Sequence, residues 1–329
     1  MSRNTISNQL RGTAVNRIHN TVDEDLLIRI AWWYHIDGLT QNAIASRLKL
    51  SRPSVGRLLD LARSRGITEV RVSPEYLRRY EVAQQIKERF GLRDVMVVPS
   101  PSSRRDDGGT DLNRLGKAAA CVVEEYATNV ENLAIGWGDA VATTFANLEN
   151  FDSSLKTVVS LTGGVSVYAM AMAGARGGGD FAQITRFLPA PLYLHSAELA
   201  EALVKEDAIS KHLSLASQAD LAVIGVGGNT STASLVTQHI LTESEIKEIR
   251  ASGAAGDILG VFFDQQGETL DIPLHHSRIG IALDDLRKIP TVIGVAGGAA
   301  KVPSILGALR GHYLDVLVTD MEAAQALEA

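Results

Sequence analysis

The stretch GLTQNAIASRLKLSRPSVGRLL, residues 38–59, decides the fold of the N-terminal part of the chain. Thr40 and Ser51 are placed to cap two successive short helices, because their hydroxyl groups can accept hydrogen bonds from the first free N–H groups. The turn between these helices needs a residue with positive φ, and Lys49 occupies that region at a cost of about 1 kcal/mol. Helices joined by so tight a turn cross steeply, which requires a small residue such as Ala45 where they touch.

An amphipathic helix precedes this pair, since apolar residues recur at three- and four-residue steps over residues 23–36. The pattern predicts a helix-turn-helix arrangement, whose second helix enters the major groove of DNA. Either of two arginines could bind guanine in a bidentate manner, whereas the other polar side chains suit phosphates. The candidate DNA-binding residues are Gln41, Ser51, Arg52, Ser54 and Arg57. A three-helix bundle without a nucleic-acid partner is the alternative.

The charge distribution favours a nucleic-acid partner for this head. The first 80 residues contain 13 Lys and Arg against 7 Asp and Glu, whereas the other 249 residues contain 19 and 31. The net charge of −6 is therefore the sum of a basic N-terminal part, the head (residues 1–80), and an acidic remainder, the body (residues 81–329). Attraction to phosphates is long-ranged and additive, so a basic head is typical of DNA binding. A solvated helical domain with surplus arginines is the alternative on charge alone.

Composition excludes several classes of protein. With 45% hydrophobic and 21% charged residues, the 329-residue chain is neither disordered nor collagen-like, and its length suits about two domains. It contains no run of 18 apolar residues and no apolar N-terminal stretch long enough for a secretory signal, so we predict no membrane partner. The single cysteine, Cys121, fits a reducing compartment and is expected in a helix core. We therefore expect a cytoplasmic protein.

Two segments follow the helical head. Residues 67–72 (ITEVRV) alternate between apolar and polar and predict a short strand, as in a winged helix-turn-helix. Residues 80–90 predict an amphipathic helix, interpreted as a linker or dimer contact because DNA-reading heads usually work in pairs. The predicted division of the chain is a disordered tail (1–20), a helix-turn-helix domain (21–75), a linker or dimerisation helix (76–92) and an effector domain (93–329).

Beyond residue 91, short β-branched runs alternate with helical stretches. Six runs are apolar throughout, which is typical of strands in a parallel sheet covered by helices on both faces. They are residues 94–99, 133–136, 157–161, 221–226, 291–295 and 316–319. The predicted class is therefore α/β, with a Rossmann-like parallel sheet. Several runs end in glycines, and ligands lie beyond the carboxyl ends of strands in such sheets.

The segment AGGAAK, residues 296–301, is the strongest candidate for an anion-binding site. A strand ends, Gly297 and Gly298 turn the chain, and Lys301 lies in the first turn of the next helix. An ammonium group beside free N–H donors suits a phosphate. The segment is not a Walker loop, because the GxxxxGK[ST] spacing is absent. A solvated lysine at a helix start is the alternative, although the helix dipole disfavours it.

Asp257 precedes the apolar run ILGVFFD, so its carboxylate should accept hydrogen bonds from the backbone or from a ligand hydroxyl. Together with Lys301 it would suit a polyol phosphate, and a turn cap is the alternative. His275 and His276 are adjacent and cannot both bind one metal ion within a strand, and no third ligand is close in sequence. We predict neither a metal site nor a cofactor.

The head and a series of body segments together resemble the SorC family of sugar-responsive transcriptional regulators. The resemblance runs from Leu26 to the C-terminus and includes AIGWGDAV, LTGGV, LPAPL, GVGG, GAAGDILGVFFD, AGGAAK and ALRGHYLDVLVTD. It implies a winged-type helix-turn-helix head and an effector domain with the fold of sugar-phosphate isomerases and deaminases. A phosphorylated sugar as effector, operator DNA as partner and a dimer or tetramer are also implied.

The resemblance also implies where the sugar phosphate binds. The residues carried over are Trp137, Asp139, Gly163, Gly164, Asp257 and Lys301. The glycine-rich residues 170–179 are expected to form a mobile loop that closes over a bound molecule.

We therefore expect a DNA-binding regulator, a repressor of an operon for carbohydrate uptake or catabolism, whose operator affinity is switched by a sugar phosphate. One alternative is an enzyme acting on sugar phosphates, in which Asp139 or Asp257 would serve as general base. Another is a carbohydrate-binding module whose head contacts proteins. The helix-turn-helix head favours the regulator over the enzyme.

Overall fold

The computed structural model describes residues 23–69, 73–99, 111–149, 154–164, 183–231 and 233–328. The chain divides into two compact units, Met1–Ser73 and Pro74–Ala329. The helices of the first unit are α1 (Glu24–His35), α2 (Gln41–Leu48) and α3 (Arg52–Ser64). The strands of the second are β1 (Asp94–Val98), β2 (Asn132–Ile135), β3 (Thr157–Ser160), β4 (Thr185–Arg186), β5 (Leu221–Gly225), β6 (Gly256–Ile258), β7 (Val261–Phe263), β8 (Val292–Val295) and β9 (Val316–Asp320).

The second unit also contains helices on both sides of its sheet. They are α4 (Pro74–Phe90), α5 (Leu112–Tyr126), α6 (Asp139–Ala146), α7 (Ala197–Val204), α8 (Asp207–Ser217), α9 (Ser234–Thr237), α10 (Glu243–Ala251), α11 (Pro273–His276), α12 (Leu283–Leu286), α13 (Val302–Arg310) and α14 (Met321–Glu328). A 3-10 turn, Ala299–Lys301, leads directly into α13. Of the helices that the structure describes, none has both the length and the apolarity needed to cross a lipid bilayer.

The caps predicted for the head are confirmed. The Thr40 hydroxyl accepts a hydrogen bond from the backbone N–H of Ala43 (3.2 Å), and the Ser51 hydroxyl accepts one from Ser54 N–H (3.3 Å). Lys49 ends α2 in the left-handed region with φ 53°, as the tight turn requires. These local signals set the start of α2 and α3 within one residue of the prediction.

The three helices of the head share a small apolar core, and a second apolar cluster joins α1 to α3. Ile30, Ile44 and Val55 are completely buried, and Ala45 is 6% exposed between α2 and α3. The small side chain lets the two helices approach closely at the position predicted for it. The outer sides of α2 and α3 are left free to carry polar residues.

Several predicted features fall outside the described residues. They are the tail over residues 1–20, the end of the wing at residues 70–72, most of the loop over residues 101–111 and the glycine-rich residues 170–179. Of the predicted wing strand, residues 67–69 are described and form no strand. The wing and the closing loop stay predictions.

The body contains a seven-stranded sheet with the order β1-β9-β8-β5-β2-β3-β4, in which every neighbouring pair is parallel. The six apolar runs correspond to β1, β2, β3, β5, β8 and β9, which confirms the predicted parallel α/β sheet. The two-residue strand β4 and the antiparallel hairpin β6–β7 were not predicted from the sequence. Both are too short to show a periodicity of their own.

Successive residues of each strand enter opposite apolar layers. In β2, Leu133 and Ile135 belong to one buried cluster, whereas Ala134 belongs to the other. In β5, Val223 lies on the first side, and Ala222 and Ile224 lie on the second. Because helices cover both layers, neither face can be polar, and this explains why the strands are apolar throughout.

The order of the strands creates a switch point between β2 and β5. From β2 the chain continues to its neighbour β3 on one side, whereas from β5 it continues to β8 on the other side. The connections therefore diverge, and a crevice opens between the carboxyl ends of β2 and β5.

Helix α4, which the sequence assigns to a linker or dimer contact, packs within the second unit. Val82 and Ile86 are completely buried in the layer that also contains β1 residues. The Arg89 guanidinium donates hydrogen bonds to the carbonyl oxygens of Leu327 (2.9 Å) and Glu328 (3.0 Å). This helix is thus anchored to the C-terminal helix of the body, and its role in a dimer stays a prediction.

The expectation that Cys121 lies in the core is wrong, because its side chain is exposed. Helix α5 buries Ala120, Val122 and Val123 against the sheet. The cysteine points away from that face because successive helical residues are rotated by about 100°.

Candidate functional site

A cavity of about 310 Å³ lies at the carboxyl ends of β2, β5 and β8. Its walls are the segments that follow these strands, together with the β6–β7 hairpin and the start of α5. The lining comprises residues 112, 115, 137–140, 225–228, 230, 233–235, 257, 297, 298, 300 and 301. The cavity thus occupies the switch point of the sheet.

Six of the eight candidate effector residues line this one cavity. They are Trp137, Asp139, Asp257, Gly297, Gly298 and Lys301. They come from three strand ends and from the hairpin, so only the folded sheet brings them together.

Gly163 and Gly164 lie apart from these six residues. The Gly163 N–H donates to the carbonyl oxygen of Ile279 (3.0 Å), and a Cβ at this position would overlap the carbonyl oxygen of Pro191. Gly164 N–H donates to Ala190 (2.9 Å), beside a different cavity of about 680 Å³. Close backbone packing accounts for the glycine at position 163, and the described residues bring neither glycine to the cavity with Lys301.

Asp257 is held by the backbone around it. The N–H of Gly227 donates to the Asp257 carbonyl (2.8 Å), and the N–H of Asp257 donates back to Gly227 (3.2 Å). Its carboxylate atom Oδ2 accepts a hydrogen bond from the N–H of Gly260 (3.0 Å) in the hairpin turn. The Asp257 side chain therefore both stabilises the hairpin turn and lines the cavity. The two predictions for this residue, a turn cap and a carboxylate that binds a ligand hydroxyl, are thus compatible.

Burial dominates the ionisation of Asp257. The residue is 3% exposed, and removal from water raises its pKa from 3.8 to about 6. The hydrogen bond from Gly260 and the nearby charge of Lys301 oppose this rise only in part. At neutral pH the carboxylate is ionised, at an energetic cost to the fold.

Gly227 allows the hairpin to approach the end of β5. A Cβ on this residue would overlap the Asp257 carboxylate oxygen Oδ1. Any side chain here would push the carboxylate away from the cavity, so the close approach requires glycine.

Lys301 supplies the positive charge of the cavity. It ends the 3-10 turn that follows β8, close to N–H groups that have no partner inside a helix. Burial lowers the pKa of its ammonium group, and the charges of Asp257 and Asp139 partly restore it. Within the described residues, no carboxylate lies within 4.0 Å of the ammonium nitrogen. This group is therefore available to an anionic ligand.

A second candidate surface lies on the head. Ser51, Arg52 and Arg57 are exposed around the start of α3, and Gln41 and Ser54 are partly exposed. Arg57 Nη2 lies 3.5 Å from the hydroxyl of Ser54, which directs the guanidinium along this end of the helix. Four of the five predicted side chains thus lie at the cap or in the first two turns of α3, the end that reaches bases in a helix-turn-helix, and Gln41 lies beside Gly56 of the same helix.

Comparison with known proteins identifies the family. The Sugar-bind model, which describes sugar-binding domains, matches residues 75–328. The transcriptional regulator LsrR of Enterobacter sp. (strain 638) is 36% identical over 312 residues, which cover 93% of this chain and 94% of that protein. LsrR of Escherichia coli (strain K12) is 37% identical over 309 residues, with coverage of 93% and 95%. The chain belongs to the SorC-like family of sugar-binding transcriptional regulators.

A solved structure supports the same assignment. The full-length sorbitol operon regulator SorC of Klebsiella pneumoniae matches with a TM-score of 0.66 and 26% identity, covering 94% of this chain and 100% of that one. The match includes the head as well as the body, so the family resemblance predicted from the sequence is confirmed.

Membership of the SorC-like family decides between the functional alternatives. The relatives are transcriptional regulators, and this chain is a sugar-responsive transcriptional regulator rather than an enzyme of sugar phosphates. Its partners are DNA and a sugar effector.

Within the described residues, no group of three or more His, Cys, Asp or Glu side chains could hold a metal ion.

Two polar residues of the cavity, Thr230 and Ser234, were not predicted from the sequence. Both follow β5 in the segment GNTSTASL, where serines and threonines are too frequent to single out one of them. Ser234 donates a hydrogen bond to Asp139 Oδ2 (3.0 Å) across 95 positions of sequence. No local pattern could have indicated that contact.

Proposed function

We propose that this SorC-family regulator binds a phosphorylated sugar in the cavity at β2, β5 and β8, and that binding changes its affinity for operator DNA. The observation that carries the proposal is the placement of Lys301, Asp139 and Asp257 in one cavity. An ammonium group and backbone N–H donors suit phosphate oxygens, whereas carboxylates suit the hydroxyl groups of the sugar. One cavity therefore offers complementary groups to both halves of such a ligand.

The head would read the operator through the N-terminal end of α3. A single helix-turn-helix covers one half-site, so we infer that the protein acts on DNA as a dimer or tetramer. We also infer a cytoplasmic repressor of an operon for carbohydrate uptake or catabolism. The single cysteine of the chain is compatible with a reducing compartment.

Sugar phosphate and operator would be linked by a population shift. The effector binds one arrangement of the oligomer better than the other, and operator affinity changes by that difference in binding free energy. A coupling of about 1–3 kcal/mol corresponds to a change of roughly 5- to 150-fold.

The function can be tested by an electrophoretic mobility shift with the DNA upstream of the gene. We expect a retarded band that changes when ribose 5-phosphate, glucose 6-phosphate or fructose 6-phosphate is added. The unphosphorylated sugars should leave the band unchanged, because they lack the group that Lys301 binds. Retardation without preference for the upstream sequence, or an equal response to phosphorylated and unphosphorylated sugars, would contradict the proposal.

Replacing Arg57 with alanine should weaken binding to the specific DNA by about 10- to 100-fold, and Arg52→Ala should act similarly if it reads a base. A bidentate contact to guanine is worth roughly 1–3 kcal/mol of discrimination. Arg63→Ala is the matched control, because Arg63 is exposed at the other end of the same helix. Titration by fluorescence anisotropy measures all three, and equal losses for Arg57→Ala and Arg63→Ala would argue against base reading by α3.

A further inference from the structure

Ser234 and Asp139 form a hydrogen-bonded pair within the cavity. Asp139 begins α6 after β2, and Ser234 begins the short helix α9 in the segment after β5. The Ser234 hydroxyl donates to Asp139 Oδ2 at 3.0 Å, and both residues line the cavity. The bond therefore joins the two sides of the switch point at which the ligand is proposed to lie.

The pair leaves only acceptor atoms for a ligand. The serine hydroxyl has one donor, which is committed to Asp139, and two acceptor lone pairs. An ionised carboxylate can accept about four hydrogen bonds, and within the described residues Ser234 is the one side chain that donates to the Asp139 carboxylate. The acceptor positions that remain open on Ser234 and Asp139 can bind O–H donors, and they repel phosphate oxygens.

Lys301 has the opposite character, since an ammonium group has three donors and no acceptor. Among the described residues of the lining, the cavity thus combines one cationic donor group with acceptors, namely this pair and the Asp257 carboxylate, that come from different strand ends. A molecule with a phosphate at one end and hydroxyl groups at the other can satisfy both only in one orientation.

Orientation of the Asp139 carboxylate depends on Ser234. Among the described residues, the other side chain that donates to Asp139 is Thr143, whose hydroxyl binds the backbone carbonyl of Asp139 (2.7 Å). That contact holds the main chain and leaves the carboxylate free to rotate about its side-chain bonds. The hydrogen bond from the Ser234 hydroxyl fixes the position of Asp139 Oδ2. It thereby also fixes the direction in which the other carboxylate oxygen, Oδ1, points.

We propose that Ser234 is a positioning residue that orients Asp139 to bind a hydroxyl group of the sugar, and thereby determines specificity for the sugar half of the effector. The proposal rests on the proposed function of the cavity. It assigns recognition of the hydroxyl group to the Ser234–Asp139 pair and recognition of the phosphate to Lys301.

The test compares Ser234→Ala and Ser234→Thr with the wild type in the full-length protein by isothermal titration. Ribose 5-phosphate, glucose 6-phosphate and fructose 6-phosphate are the probes, and inorganic phosphate is measured by its displacement of the bound sugar phosphate. Ser234→Ala should weaken sugar phosphate binding about tenfold, because an oriented hydrogen bond to a charged group is lost. Its affinity for inorganic phosphate should stay within about twofold, and Ser234→Thr, which retains the hydroxyl, should restore sugar phosphate binding.

Thermal melting of each variant verifies that it is folded. Equal weakening for sugar phosphate and inorganic phosphate would indicate a general disturbance of the cavity and overturn the proposal. Unchanged sugar phosphate affinity in Ser234→Ala would overturn it as well, while leaving the proposed function intact. Failure of the wild type to bind any of the sugar phosphates would instead remove the proposed function, and this proposal with it.

Discussion

Replacing Lys301 with methionine is expected to weaken sugar phosphate binding by about 10- to 100-fold and to abolish the response of operator binding to the sugar. Methionine keeps much of the apolar stem but removes the charge, so the lining that the structure describes retains two carboxylates and no cation. A hydrogen bond between charged groups contributes roughly 1.5–3 kcal/mol, which corresponds to this loss in affinity. Isothermal titration measures the binding, and a mobility shift with and without the sugar measures the response.

Two controls separate loss of the ligand contact from loss of the fold. Burial lowers the pKa of Lys301, so its charge is disfavoured by the folded state and the variant should melt at the same temperature or higher. Lys288→Met is the matched control, because this lysine is largely exposed and pairs with Asp285 at 2.8 Å. A normal sugar response in Lys301→Met, or an equal loss in Lys288→Met, would exclude Lys301 from the phosphate site.

Asp257→Asn is expected to stabilise the protein above pH 6, by about 3 kcal/mol at most. Burial raises the pKa of this carboxyl to about 6, whereas the unfolded chain releases the proton near 3.8. The raised pKa means that the folded state favours the protonated carboxyl. This contribution to the free energy of unfolding is fully present below pH 4 and is lost as the pH rises through 6. A difference of about two pKa units corresponds to about 3 kcal/mol. Asparagine has the same shape and does not ionise, so it should not suffer this loss.

Urea denaturation of both proteins between pH 4 and pH 8 measures this effect. The free energy of unfolding of the variant should exceed that of the wild type at pH 7 and approach it at pH 4. Asp207→Asn serves as the control, because Asp207 is exposed on α8 and its replacement should give no such trend. A constant difference between Asp257→Asn and the wild type over this pH range would mean that the carboxyl ionises as freely in the fold as in water.

Much of the architecture could be predicted from local patterns. The caps at Thr40 and Ser51, the left-handed Lys49 and the crossing at Ala45 each depend on neighbours a few residues away. The apolar runs of the body could be assigned to a parallel sheet because strands buried on both faces tolerate no alternation. Cys121 lies four residues from both Lys117 and Glu125, so the helical periodicity indicates an exposed position, and the prediction was wrong because it followed the usual burial of free cysteine instead.

The candidate site was only partly predictable. A basic residue after a glycine turn and an acid before an apolar run pointed to Lys301 and Asp257, whose chemistry is visible in single segments. Gly163 and Gly164 carry the same local signal, a strand followed by two glycines, yet they lie against the segment around Pro191. The same pattern, a strand followed by two glycines, therefore lies at the cavity for Gly297 and Gly298 and away from it for Gly163 and Gly164.

The sequence by itself determined the helix-turn-helix head, the parallel α/β body and two charged residues of the cavity, because short-range hydrogen bonding and burial specify each of them. Tertiary structure alone decided which strand ends share the cavity, since the order β1-β9-β8-β5-β2-β3-β4 follows from packing between distant segments. It also decided the contact between Ser234 and Asp139, which are 95 positions apart. A hydrogen bond of 3.0 Å requires two chain segments to be placed within a fraction of an ångström, and only the packed sheet does so.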